Sequence, residues 1–236
     1  MKRARIFGIG LALAMLAPPL AAQDQGSWDG LIEVKASKFD DAFLMPGADF
    51  RAYDKVMLDP VEVAFRKDWM RNMNDTRSLG RRISADDAQK ILDTVKADTR
   101  DIFTKAFEKG GFQVADAPGE KVLRVHTSVI NLYVNAPDNM SAGRVMTFTT
   151  EAGEATLVVE LRDSLTNALL ARVVDRRVAQ TMGATPWRPT LTNSVTNRAE
   201  FERAAAAWAS ASAKGLKTLQ AQSPIPADLR KGQKLK

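Results

Sequence analysis

The sequence predicts an α+β domain, an antiparallel sheet of about four to five strands packed against two main helices, with an irregular N-terminal segment. Three observations lead to this reading. Two long segments repeat apolar residues at three- and four-residue spacing, the stretch between them alternates with a period of two, and glycine or proline closes each run.

Residues 1–22 stand apart. Lys2, Arg3 and Arg5 precede a mostly apolar run from Ile6 to Ala17, then Pro18, Pro19 and the small pair Ala21, Ala22, the order of a secretory signal cut near Ala22. The run is shorter than the roughly 20 apolar residues of a membrane-spanning helix, so no transmembrane span is expected after cleavage. Cleavage removes three positive charges and no negative ones, taking the formal charge from +6 to about +3. So small a surplus argues against nucleic acid as a partner. The expected location is periplasmic or secreted.

Residues 23–50 read as an irregular extension and 51–222 as the single α+β domain. Residues 223–236, with Arg230, Lys231, Lys234 and Lys236 after Pro224 and Pro226, read as a flexible basic tail. Within the domain, Tyr53–Phe65 predicts a bent edge strand, because Pro60 interrupts the amide ladder. The first helix follows Ser84, with Asp87 closing a capping box, Ile91, Leu92, Val95, Ile102, Phe103 and Ala106 forming its apolar face, and Gly110 and Gly111 ending it. A short strand, "GFQVA", leaves that helix. In the long strand "KVLRVHTSVINLYVN", Leu123, Val125, Val129 and Tyr133 share one face.

"EATLVVELRD" and "ALLARVVDRRVAQTM" form a hairpin about the turn "SLTN", with Ala155, Leu157, Val159 and Leu161 pointing inward. The second helix is expected after Asn197, capped by Glu200, with Phe201, Ala204, Ala205, Trp208, Leu216 and Leu219 as its buried stripe.

The ordered combination of "WDGL", "PGADFRAYDKVMLDPVEVAF" with "KDW", and "LRDSLTNALLARVVDRR" resembles a bacterial envelope family catalogued as domain of unknown function 3313. The resemblance runs from about Trp28 to the end of the second helix. It implies a shared fold and an envelope location, and it carries no activity. Members often look like lipoproteins; this chain has no cysteine to carry a lipid.

The same absence excludes disulfides, thiolate metal sites and cysteine nucleophiles. With one histidine, His126, no transition-metal cluster is expected, and no cofactor. A serine relay would need His126 to meet a serine such as Ser128 and an acid such as Asp163, yet no nucleophile-elbow sequence surrounds Ser128. The carboxylates Asp40 and Asp41, Asp86 and Asp87, and Asp163 and Asp175 could bind calcium or perform acid/base chemistry, but none has a diagnostic context: capping explains the helix-start pair, and turn fixing or pairing with Arg176 and Arg177 explains the pair that flanks the hairpin turn. No catalytic residue is assigned. The better candidates are surfaces: a charged stripe on the hairpin with Arg162, Arg172 and Arg176, and Trp187, a rigid aromatic between prolines in a long loop. The expected function is non-catalytic binding of an envelope protein, lipid or cell-wall component. The alternatives are a hydrolase or acid/base enzyme acting on cell-wall or lipid material, dependent on Asp163 or Asp175, and a small-ligand carrier with an apolar cavity.

Overall fold

In the computed structural model of the chain, residues 27–75, 77–79, 82–134, 147–149, 151–180, 190–192 and 194–234 are described. The elements follow in order as β1 (Ser27–Trp28), β2 (Leu31–Val34), β3 (Asp41–Leu44), a 3-10 turn (Phe50–Ala52), β4 (Lys55–Leu58), β5 (Glu62–Phe65), α1 (Trp69–Asp75), α2 (Ala85–Lys109), β6 (Gln113–Val114), β7 (Val122–Val134), β8 (Thr147–Thr149), β9 (Glu151–Asp163), β10 (Leu169–Gln180), β11 (Thr190–Thr192) and α3 (Ser194–Gln222). The fold is α+β, as the sequence predicts.

The main sheet is larger than expected. Its strands run β1-β2-β3-β10-β9-β7-β4-β6, and β5 pairs with β7 beyond the end of β4. It is also mixed, because β4 and β5 lie parallel to β7. The reason is the path of the chain: α2 carries it across the sheet between β5 and β7, and a crossover returns a strand in the same direction. Pro60 sits where β4 gives way to β5, so the predicted bent strand is present as two pieces along the same neighbour, but its first piece is not an edge, because β4 lies between β7 and β6. The short β8 and β11 pair with each other in a separate antiparallel ribbon.

The segment read as irregular supplies β1, β2 and β3, through which the sheet extends past β10. The tail is also built in. Ile225 and Leu229 belong to the main apolar core, and Val34 bridges to Gln233.

Helix α2 begins as its sequence dictates. Asp87 N–H donates to Ser84 Oγ at 3.1 Å and Ser84 N–H donates to Asp87 Oδ2 at 3.0 Å, so each satisfies an amide the helix leaves unpaired. Val95, Phe103 and Phe107 are buried on one side of it. Helix α3 starts at Ser194, before Asn197, so Glu200 lies inside the helix and is bonded to Arg203 at 2.5 Å. Its stripe is as predicted at Ala205, Trp208 and Leu216, all buried. Trp208 and Leu216 meet Leu123, Val125, Val129, Leu157 and Val159 in one core between the helices and the sheet.

The long strand β7 departs from its predicted phase near its end. Its register with β9 shifts between Ile130 and Tyr133, and Asn131 takes a left-handed conformation (φ 53°). The extra residue moves Leu132, not Tyr133, into the core. Opposite the bulge the backbones close so tightly that a Cβ on Gly153 would collide with the Tyr133 carbonyl oxygen. Gly153→Ala is therefore expected to destabilise the protein by about 2 kcal/mol, since the colliding atom is backbone and cannot rotate away. Urea unfolding with an unchanged midpoint would refute this.

Candidate functional site

Alternation along β7, β9 and β10 places two sets of side chains on opposite faces of the sheet. One set packs under α2 and α3; the other forms the outer face. Cross-strand register orders that outer face into rows: His126–Glu160–Arg172, then Ser128–Val158–Val174, then Ile130–Thr156–Arg176. Arg124 and Arg162 stand opposite one another at one end of it.

The predicted stripe is thus assembled, with its charges already paired. Glu160 accepts from Arg162 Nε at 2.9 Å and from Arg172 Nε at 2.8 Å, and Arg172 also reaches Asp29 at 3.0 Å. Arg176 Nε donates to Glu154 at 2.8 Å. Burial pushes the Glu160 carboxyl up, but the two guanidiniums outweigh it and hold it below the usual carboxylate range. The hydrogen bond from Arg176 likewise lowers Glu154.

Beside the stripe lies an arrangement that sequence reasoning found only in part. His126 Nδ1 is 3.2 Å from Asp59 Oδ2 and His126 Nε2 is 3.4 Å from Ser128 Oγ, so an acid, a histidine and a serine stand in line. The acid is Asp59, not Asp163. The available signal was its place immediately before Pro60, where β4 ends and Asp59 turns toward β7.

Among the described residues the line is shared with other charged groups. Arg124 Nε donates to both Asp59 oxygens at 2.8 Å, which divides the carboxylate's charge between two partners. Glu62 comes within 3.8 Å of the same His126 nitrogen that Ser128 faces. Ser128 sits in mid-strand, paired with Glu62 on one side and Val158 on the other, so its own backbone belongs to the sheet ladder and not to the loop or helix N-terminus that usually presents an oxyanion donor. Such donors supply much of the rate in acyl transfer, and the row is better described as a polar ladder.

Other carboxylates have structural duties. Asp163 accepts from the Leu165 and Thr166 amides at 3.0 and 2.7 Å, fixing the "SLTN" turn, and from the Tyr53 hydroxyl at 2.9 Å. Asp175 faces the core, where it holds Trp208 and Arg177. Asp40 accepts from the Arg176 amide at 2.9 Å. Among the described residues no group of His, Asp and Glu is placed to hold a metal ion. Trp187 lies outside the described residues. A cavity of about 40 Å³ lies between β7, β9 and α3, lined by Leu132, Phe201 and Trp208 among others. That is space for water, well below the roughly 300 Å³ at which ligand pockets begin.

The paired carboxylates make stability pH-dependent. Glu154, Glu160 and Asp163 all sit below their ordinary values, Asp163 chiefly through the Thr166 amide, so their contribution is present above about pH 4.5 and lost as pH falls through the folded-state values. On the alkaline side, burial and Asp163 push Tyr53 up to about 12, so its contribution is intact below pH 10 and lost as pH rises toward 12. Urea midpoints should fall at both ends, and Tyr53→Phe should remove the Tyr53 contribution at the alkaline end.

The fold and its outer face define an α+β domain with a mixed sheet, two long helices on one side and, on the other, a face of paired charges around a few aliphatic side chains. No helix among the described residues is long and apolar enough to cross a membrane. The chain belongs to the family described as Protein of unknown function (DUF3313), whose model matches residues 22–212. Among solved structures it is similar to a DUF330-family protein from Xanthomonas campestris, at 15% identity and a TM-score of 0.42 over 80% of this chain and 93% of that one. It is also similar to the PelC dodecamer from Paraburkholderia phytofirmans, at 12% identity and a TM-score of 0.37 over 76% of this chain and 94% of that one. No curated protein matches significantly.

Proposed function

We propose that this chain is an exported, non-catalytic binding module of the cell envelope that docks another envelope component through the outer face of its sheet. The observation that carries the reading is the row structure of that face, away from both long helices: Glu160 holds Arg162 on its own strand and Arg172 on the next, Asp29 in the β1–β2 turn also holds Arg172, and Glu154 holds Arg176. A surface held this way loses little side-chain freedom on binding. Export is supported by the basic, apolar leader and by a family match that begins at residue 22, where the leader ends.

Native mass spectrometry of the protein taken gently from its own envelope tests the proposal. The expected result is a discrete added mass that disappears in Arg176→Glu. A bare chain that turns over cell-wall or lipid material, with activity lost in Ser128→Ala, would replace the binding reading with the enzymatic one.

A further inference from the structure

We infer that the outer face is a self-association surface whose occupant is a second copy of this chain; the inference rests on the reading of that face as a docking surface. Its centre is apolar. Ile130 and Val178 are large aliphatic residues left 36% and 38% exposed, and register places Val158 and Val174, both half-buried, on the same face. Isolated exposed aliphatics need no explanation, but Val158, Val174 and Ile130 lie in adjacent rows of one sheet face, with Val178 just beyond the Arg176–Glu154 pair, the composition of an interface centre and its rim.

The charge pattern selects the occupant. Arg124, Arg162, Arg172 and Arg176 are set against Asp59, Glu160, Asp29 and Glu154. This balance gives an anionic lipid surface or a polyanion nothing to neutralise. It suits a surface of the same composition, because a two-fold axis brings the arginines of one copy toward the carboxylates of the other, and each ion pair can exchange partners without a net change in charge.

The size is sufficient. The nine residues Glu154–Arg162 span about 30 Å at roughly 3.3 Å per residue, and the four neighbouring strands β7, β9, β10 and β3 about 19 Å at roughly 4.8 Å each. Because β3 adds only four residues to that area, two such faces bury on the order of 1,000 Å², about the least that a specific interface buries.

Sedimentation equilibrium of the processed chain, purified from its own cells, tests this over micromolar concentrations. The expected result is a doubled mass, with the dimer weakened at least tenfold by Val174→Glu while circular dichroism and the thermal midpoint are unchanged. Val178→Arg, at a position already exposed, is the second variant should Val174→Glu disturb the fold. A dimer untouched by a folded variant overturns the inference by placing association elsewhere. A monomer at every concentration also overturns it. In that case, an added protein mass in the native spectra that Arg176→Glu removes leaves the docking face standing with a different partner. A bare chain removes both readings.

Discussion

Asp175→Ala is expected to destabilise the protein by about 4 kcal/mol, because it strips a buried carboxylate from the three donors that it joins. Asp175 points from β10 into the core and is only 6% exposed. Its Oδ2 accepts from Trp208 Nε1 at 2.6 Å and from Arg177 Nε at 2.8 Å, and its Oδ1 accepts from the Asp40 amide at 3.1 Å. One side chain thus joins α3, β10 and the start of β3. Alanine would leave a buried indole N–H without its acceptor and a guanidinium without this counter-charge. Asparagine at the same position keeps the shape but offers one acceptor oxygen, so the loss in Asp175→Asn should be smaller than in Asp175→Ala.

A double-mutant cycle separates this network from simple loss of volume. Trp208→Phe removes the indole donor, and in that background Asp175→Ala should cost about 1–2 kcal/mol less. Equal losses in the two backgrounds would mean that the hydrogen bond contributes nothing. The result also bears on function. Activity lost in an Asp175 variant cannot identify a catalytic acid unless folding is measured in the same sample.

Elements specified by neighbouring residues were legible in the sequence. Ser84 and Asp87 are three residues apart and cap α2 by themselves, and Asp163 lies beside the turn amides it binds. Features that depend on distant partners were not. Strands β2 and β3 have four residues each, enough for only two inward positions, so their period cannot be distinguished from chance. The parallel pairing of β4 and β5 with β7 depends on a crossover that no local pattern encodes. The outer-face rows followed from alternation, which is why Arg162, Arg172 and Arg176 could be named in advance. Asp59 could not be placed because it meets His126 from 67 positions away.

Ending the chain after Gln222 should destabilise it by about 5 kcal/mol, the sum of losses from two buried aliphatic side chains and their backbone ties, partly offset by the ordering entropy released. A charged, proline-bearing terminus suggests a solvated tail, but Pro224, Pro226 and the lysines frame two apolar residues that the core takes in. Ile225 is 1% exposed and Leu229 7%. Ser223 Oγ accepts from the Phe50 amide at 2.9 Å and donates to the Leu219 carbonyl at 2.7 Å, closing the end of α3 onto the 3-10 turn. Farther on, the Gly232 amide donates to the Glu33 carbonyl at 2.9 Å and the Lys35 amide to the Gln233 carbonyl at 3.0 Å, fastening the segment to β2. Ile225→Ala alone should cost about 3 kcal/mol, whereas Lys234→Gln should change stability by less than about 0.5 kcal/mol. If truncation left the urea midpoint unchanged, the segment would be the solvated basic tail its charges suggest. If Ile225→Ala and truncation both lower it while Lys234→Gln does not, apolar burial holds the segment, and its lysines are free to serve a surface role without holding the fold.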